Sequence, residues 1–130
     1  MAIDFANDVA QIWRVFSLAD GTTSMEEVAV PLSPDRAGKG SKLLAGSGVM
    51  IRRAAPGRAA NWHVAPRRQM IATLGGWAEI ETGDGQVLRC TPDVLVVVED
   101  VAGVGHKTRM HPTEGWQMLF IPLDDETMLL

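Results

Sequence analysis

From residue 49 onward, apolar and polar positions alternate in short runs broken by Gly, Pro, Asn and Asp. The runs are VMIRRA (49–54), NWHVA (61–65), RQMIATL (68–74), WAEIET (77–82), QVLRC (86–90), DVLVVVED (93–100), GHKTRM (105–110) and WQMLFIPL (116–123). A period of two, interrupted at this spacing by turn residues, predicts antiparallel strands in a sandwich or barrel. Upstream, IWRVF (12–16) and VAVPL (28–32) predict two lead-in strands around the turn-like ADGTTS. TGDGQ (82–86) predicts a tight hairpin, with Asp84-Gly85 supplying positive φ values. Between Ser33 and Gly48 the chain is rich in Gly, Ser, Pro and charge, with only LLA between, which predicts a long loop or flap. Helical periodicity is weak everywhere except near residues 4–13. The expected fold is all-β.

Composition narrows the function more than the fold. At 130 residues the chain fits one domain with one core. An apolar fraction of 46% with no uninterrupted run of about 18 apolar residues predicts a soluble protein without a membrane span. The leading MAIDFANDVAQIWRVF carries Asp4 and Asp8 and no small-residue cleavage site, so a cytoplasmic location is expected. The net charge is −4 and basic residues come as scattered pairs, Arg52-Arg53 and Arg67-Arg68, which argues against nucleic-acid binding. DRAGKGSK (35–42) has glycine after Lys39 where a phosphate loop needs Ser or Thr, and reads as a surface loop. Cys90 is the single cysteine, which excludes an internal disulfide and any multi-thiolate zinc site.

The chemistry-bearing residues are few. Side chains at i and i+2 share a face of a strand, so His63 goes with Ala65, Gln69 with Ile71 and Thr73, and His106 with Thr108 and Met110. If these strands line one interior, His63, Gln69 and His106 converge there, with Thr108 and Met110 as substrate contacts. Arg53 shares parity with Val49 and Ile51. It reads either as an inward contact for a substrate carboxylate or as ordinary surface charge. Arg68 is expected to point outward into solvent, Glu99-Asp100 to lie at a solvated strand end, Asp93 to fix a turn, and His111 to serve the surface. Trp62, Trp77 and Trp116 read as packing residues, and Cys90 as a small buried hydrophobe.

The spacing Gly57-x5-His63-x-Ala65-x3-Gln69-x6-Gly76 resembles the first motif of the cupin family, G-x5-H-x-H-x3-E-x6-G, with Ala at the second His and Gln at the Glu. The second motif is represented by TPDVLVVVEDVAGVGH, in which Pro92-Asp93 resembles a P-G-D turn without its glycine and Gly103-x2-His106 matches G-x2-H. That segment is longer than the usual motif and lacks its proline. WHVAPRRQ is also similar to a small group of cupins with the pattern W-H-x-A-P-R-R-Q. The resemblance covers residues 48–123 and implies an antiparallel β-barrel, the double-stranded β-helix or jelly roll. Residues 1–47 then form N-terminal strands and a loop, and 124–130 a tail.

The resemblance also implies a metal site. Carried over, His63 and His106 are candidate ligands of iron, manganese, nickel or zinc, Gln69 is a neutral oxygen ligand, and Ala65 cannot ligate. Two imidazoles without an anionic ligand leave a cation's charge uncompensated, so any metal is expected to be weakly held. Two functions follow. One is a small cupin enzyme acting on a small organic molecule by metal-assisted or histidine acid/base chemistry, of isomerase, lyase, cyclase or dioxygenase type, with His63, His106 and Gln69 catalytic. The other is a non-catalytic barrel that binds a ligand or is purely structural. A homodimer is expected, with the apolar IWRVF segment suited to edge pairing.

Overall fold

The computed structural model describes residues 3–130, and every regular element among them is a β-strand. In chain order these are β1 (Val9–Ser17), β2 (Thr23–Pro31), β3 (Ser33–Pro34), β4 (Lys39–Gly40), β5 (Met50–Ala54) and β6 (Ala59–His63), then β7 (Gln69–Gly76), β8 (Ala78–Glu81), β9 (Val87–Cys90), β10 (Leu95–Val98), β11 (His106–Met110) and β12 (Trp116–Pro122). The apolar runs therefore become strands close to where the alternation puts them. The helix-period signal near residues 4–13 is overridden, because β1 pairs with β2 from Val9 onward.

Three sheets result. A six-stranded sheet runs β2-β1-β10-β7-β12-β5, a four-stranded sheet runs β6-β11-β8-β9, and β3-β4 forms a small ribbon. All pairings are antiparallel except β1 with β10. Hydrogen bonding among the described residues does not close these sheets into a barrel: β2 and β5 are the edges of the larger, β6 and β9 of the smaller. β1, which holds IWRVF, has β2 on one side and β10 on the other. That segment therefore has no free edge to offer a second copy.

The two main sheets share one core. Val15, Ile71, Val96, Val98 and Met118 of the larger sheet cluster with Ala78, Ile80, Leu88 and Cys90 of the smaller. Alternate residues of the larger sheet, Ile12, Met70, Leu95 and Val97, point the other way and form a second apolar cluster with Val30, Leu44, Leu123 and Leu129. Both faces of β10 are thus covered, which is why LVVV is a continuous apolar run and not an alternating one.

The segment predicted as a flap helps to cover that outer face. Leu44 packs there, the Ser47 amide donates to the Pro122 carbonyl at 3.2 Å, and the Asp124 amide donates to the Ala45 carbonyl at 3.0 Å. DRAGKGSK is an ordered turn: the Asp35 carboxylate accepts from the amides of Ala37 and Gly38, and Lys39 pairs with Asp8.

The β8–β9 hairpin forms as expected, with one change in its chemistry. Only Gly85 is left-handed, at φ +86°, and no non-glycine residue has positive φ among those described. Asp84 instead accepts hydrogen bonds from Ser24 Oγ (2.6 Å), Thr82 Oγ1 (2.6 Å) and Gln86 Nε2 (2.7 Å), tying the hairpin to β2.

Candidate functional site

A cavity of about 680 Å³ opens between the two main sheets. β7 contributes Gln69 and Ile71 to its wall, β11 contributes His106, Thr108 and Met110, and β6 contributes Ala60 and His63. The three motif residues are therefore brought together, as are Thr108 and Met110. His63 reaches the wall through a register shift. His106 lies opposite His63 and Thr108 opposite Ala60, so Asn61 and Trp62 together face the single residue Lys107. The extra residue changes the phase of β6 and lets both Ala60 and His63 face inward.

The rings of His63 and His106 lie 4.6 Å apart, centroid to centroid, tilted at 56°. This approach depends on Gly105, the residue before His106, at φ +80°. A Cβ there would sit 1.9 Å from the His63 carbonyl oxygen, so the chain can pass only with glycine.

Both imidazoles are oriented by acceptors. The His106 Nδ1 lies 2.5 Å from Asp100 Oδ2, and the His63 Nδ1 lies 2.7 Å from the Asn61 carbonyl. A carboxylate and a carbonyl only accept, so each Nδ1 carries a proton, and in the neutral ring the lone pair is on Nε2. Neither Nε2 has a hydrogen-bond partner among the described residues, and both rings line the cavity. Asp100 is fully buried, and its backbone carbonyl accepts from the Ala65 amide at 3.0 Å, which joins the dyad to the chain just past His63.

Asp100 corrects the expectation of a solvated strand end. Positions 96, 98 and 100 of DVLVVVED share one face, and Val96 and Val98 on it belong to the core between the two main sheets. Its neighbour Glu99 faces the other way, gripped by Arg14 Nε and Arg68 Nε, each at 2.7 Å. Arg68 is correspondingly not solvated: it also donates to the Asp124 carbonyl, and its side chain is 13% exposed.

Arg53 sits at the cavity margin with the opposite parity to the inward reading. The inward set of β5 is Met50, Arg52 and Ala54, which stand across from Phe120, Met118 and Trp116 of β12. Arg53 pairs with Gln117 and donates to its Oε1 at 2.6 Å. Arg52, Arg58 and Arg67, none of them a site candidate from the sequence, complete the charged lining. Three arginines and two histidines face this cavity, with Arg53 at its margin and no Asp or Glu in the lining among the described residues, although the whole chain is net negative.

Among the described residues, two buried side-chain polar atoms have no partner: Asp100 Oδ1 and Thr108 Oγ1. The Gln69 Oε1 accepts from Arg67 Nη1 at 3.1 Å, which leaves its amide N–H groups as donors. The remaining sequence candidates lie elsewhere. His111 Nδ1 accepts from the amides of Thr113 and Glu114 and caps a turn. Asp93 accepts from Thr91 Oγ1, which lowers its pKa. Trp116 is buried and donates to Thr73, whereas Trp62 is partly exposed beside the Lys107 ammonium. Burial pushes the Cys90 thiol up to about 12, leaving it an inert core residue.

The donor set does not fit a transition metal. A cation between His63 and His106 would find two neutral imidazoles and an amide oxygen already bonded to a guanidinium, with no anionic ligand and arginines for neighbours. No group of three or more His, Cys, Asp and Glu side chains among the described residues could hold one. The arginines and the Gln69 amide N–H groups suit an anion or a polarised carbonyl oxygen.

No protein-family model matches the chain, and no curated protein matches it significantly.

Proposed function

We propose that the chain is a small jelly roll of the cupin kind whose cavity performs metal-independent acid/base chemistry on a small organic molecule. The observation that carries this reading is the buried Asp100–His106 pair, with Nδ1 held and Nε2 open to the cavity. A histidine kept in one tautomer by a carboxylate is ready to accept a proton, and the carboxylate stabilises the imidazolium that forms. Both motif histidines and Gln69 lining one cavity support the cupin kinship.

In this mechanism His106 Nε2 removes a proton from carbon α to a carbonyl. The Gln69 amide donates to the oxygen on which charge develops, as does an arginine beside it. The same imidazolium then returns the proton to a neighbouring carbon, giving isomerisation, or to a leaving group, giving elimination. His63 stands close enough to take a proton from a substrate hydroxyl. We also take the chain to act in the cytoplasm as a homodimer paired through an edge strand, β2 or β5; among the described residues, no helix is long and apolar enough to cross a membrane.

The test is hydrogen exchange. Chelator-treated protein is incubated in D2O with a panel of ketones and keto acids, and loss of α-protons is followed by NMR. Exchange is expected in the wild type, unchanged by chelation and reduced by about 100-fold or more in His106→Gln. Exchange that requires added iron, manganese, nickel or zinc would overturn the proposal. So would binding without exchange across the whole panel, which would make the cavity a binding site alone.

A further inference from the structure

We infer that the cavity takes an organic acid, a molecule with an apolar body and a carboxylate, anchored by Arg52, Arg58 and Arg67. The inference rests on the acid/base reading for what happens to the molecule, but the anchoring is argued from charge alone.

Eight of the nine arginines fall into two sets; the ninth, Arg36, is exposed on the turn after β3 and belongs to neither. Arg14, Arg68, Arg89 and Arg109 each have a carboxylate partner. Arg52, Arg53, Arg58 and Arg67 line the cavity, and none pairs with an acid among the described residues. Arg53 gives its Nε to Gln117 and Arg67 one Nη1 to Gln69, which leaves Arg52 and Arg58 with no side-chain acceptor among the described residues and Arg67 with N–H groups to spare. Arg52 is the most telling. It lies on the inward face of β5 between Met50 and Ala54, directly across from the fully buried Met118, where packing alone would favour an apolar residue. Its side chain is exposed at the cavity mouth and has no acid partner among the described residues, so its charge is open to an anion that enters.

The fork of a guanidinium matches the two oxygens of a carboxylate. Thr108 Oγ1, buried and unpartnered in the same wall, adds a hydroxyl donor. The rest of the lining is apolar, with Ile71, Ile80, Val98, Met110, Trp116 and Phe120, and a cavity of about 680 Å³ has room for a body of several carbons. A carboxylate held at the arginines would leave its α or β carbon for His106.

Calorimetry distinguishes this from its competitors. The probes are benzoate, phenylacetate and hexanoate, each beside its primary amide, together with phenyl phosphate and inorganic phosphate. At least one carboxylate is expected to bind at least about tenfold tighter than its amide, and to weaken as salt rises. The double variant Arg52→Gln/Arg58→Gln should lose that preference while its melting temperature holds; Arg52→Lys, which keeps the charge without the fork, should fall between. His106→Gln should keep carboxylate binding while losing α-proton exchange, so failure of the acid/base reading would not be mistaken for failure of this one. The inference is overturned if no carboxylate outperforms its amide, if the double variant binds as the wild type does, or if phenyl phosphate is preferred.

Discussion

Glu99 and Asp100 are adjacent, carry the same kind of side chain, and lie on opposite faces of the larger sheet. On the outer face Glu99 is shared by Arg14 and Arg68, and the apolar cluster beside it is sealed by Leu44, Leu123 and Leu129. On the inner face Asp100 meets a histidine, one of its oxygens is unpartnered, and the arginines nearby have no acid. The outer face is complete within the chain. The inner face is not: among the described residues Thr108 Oγ1 has no partner and the arginines at the cavity no acid, and polar groups left unsatisfied at a cavity are the mark of a site built for something else to enter. Charge alone does not separate structure from function here; whether the charge already has its partner does.

The largest effect is expected where that contrast is broken on the inner side. Asp100→Asn is nearly isosteric, but its amide can donate to Nδ1 and so favour the tautomer with the proton on Nε2, removing the base. Turnover of an α-proton substrate should fall by about 10³- to 10⁴-fold while the fold is kept, measured by exchange rate and circular dichroism. Breaking the outer face should do the reverse. Leu129→Ala, at a position 8% exposed, should cost about 2–3 kcal/mol in denaturant unfolding and leave carboxylate binding unchanged.

A smaller effect is expected from Asp84, which lies on neither face. Hydrogen bonds from Ser24, then Thr82 and Gln86, hold its carboxyl well below the usual carboxylate range. Because the folded pKa is depressed, this contribution is present above the unfolded value and lost as pH falls through and below about 4. Stability of Asp84→Asn should therefore decline less steeply than wild type between about pH 5 and 2 in urea titrations.

The two faces also differ in how far they could be read from sequence. The strands, the hairpin and the inward direction of Gln69, Thr108 and Met110 follow from period-two alternation, a local property, whereas that of His63 together with Ala60 needs the bulge in β6. Asp100 had no such signal: LVVV is buried on both faces, so parity alone does not tell Asp100 from Glu99, and a carboxylate after an apolar run usually marks a strand end. The choice of Arg52 over Arg53 was not readable, since MIRRA alternates in neither register and only the pairing with Met118 decides it. The bulge at Asn61–Trp62 depends on a partner more than forty residues away. The seal of Leu44 and Leu129 over the outer face joins segments with no periodicity at all, so the loop read as a flap gave no hint of its role.

The central claim is that Asp100 fixes His106 with Nδ1 protonated and Nε2 free, and long-range ¹H–¹⁵N NMR of the imidazoles reads this directly. Near neutral pH, after chelation, the account predicts a protonated-type Nδ1 and a lone-pair-type Nε2 for His106, with the two exchanged in Asp100→Asn. A wild-type His106 carrying its proton on Nε2, or a spectrum unchanged by Asp100→Asn, would contradict it.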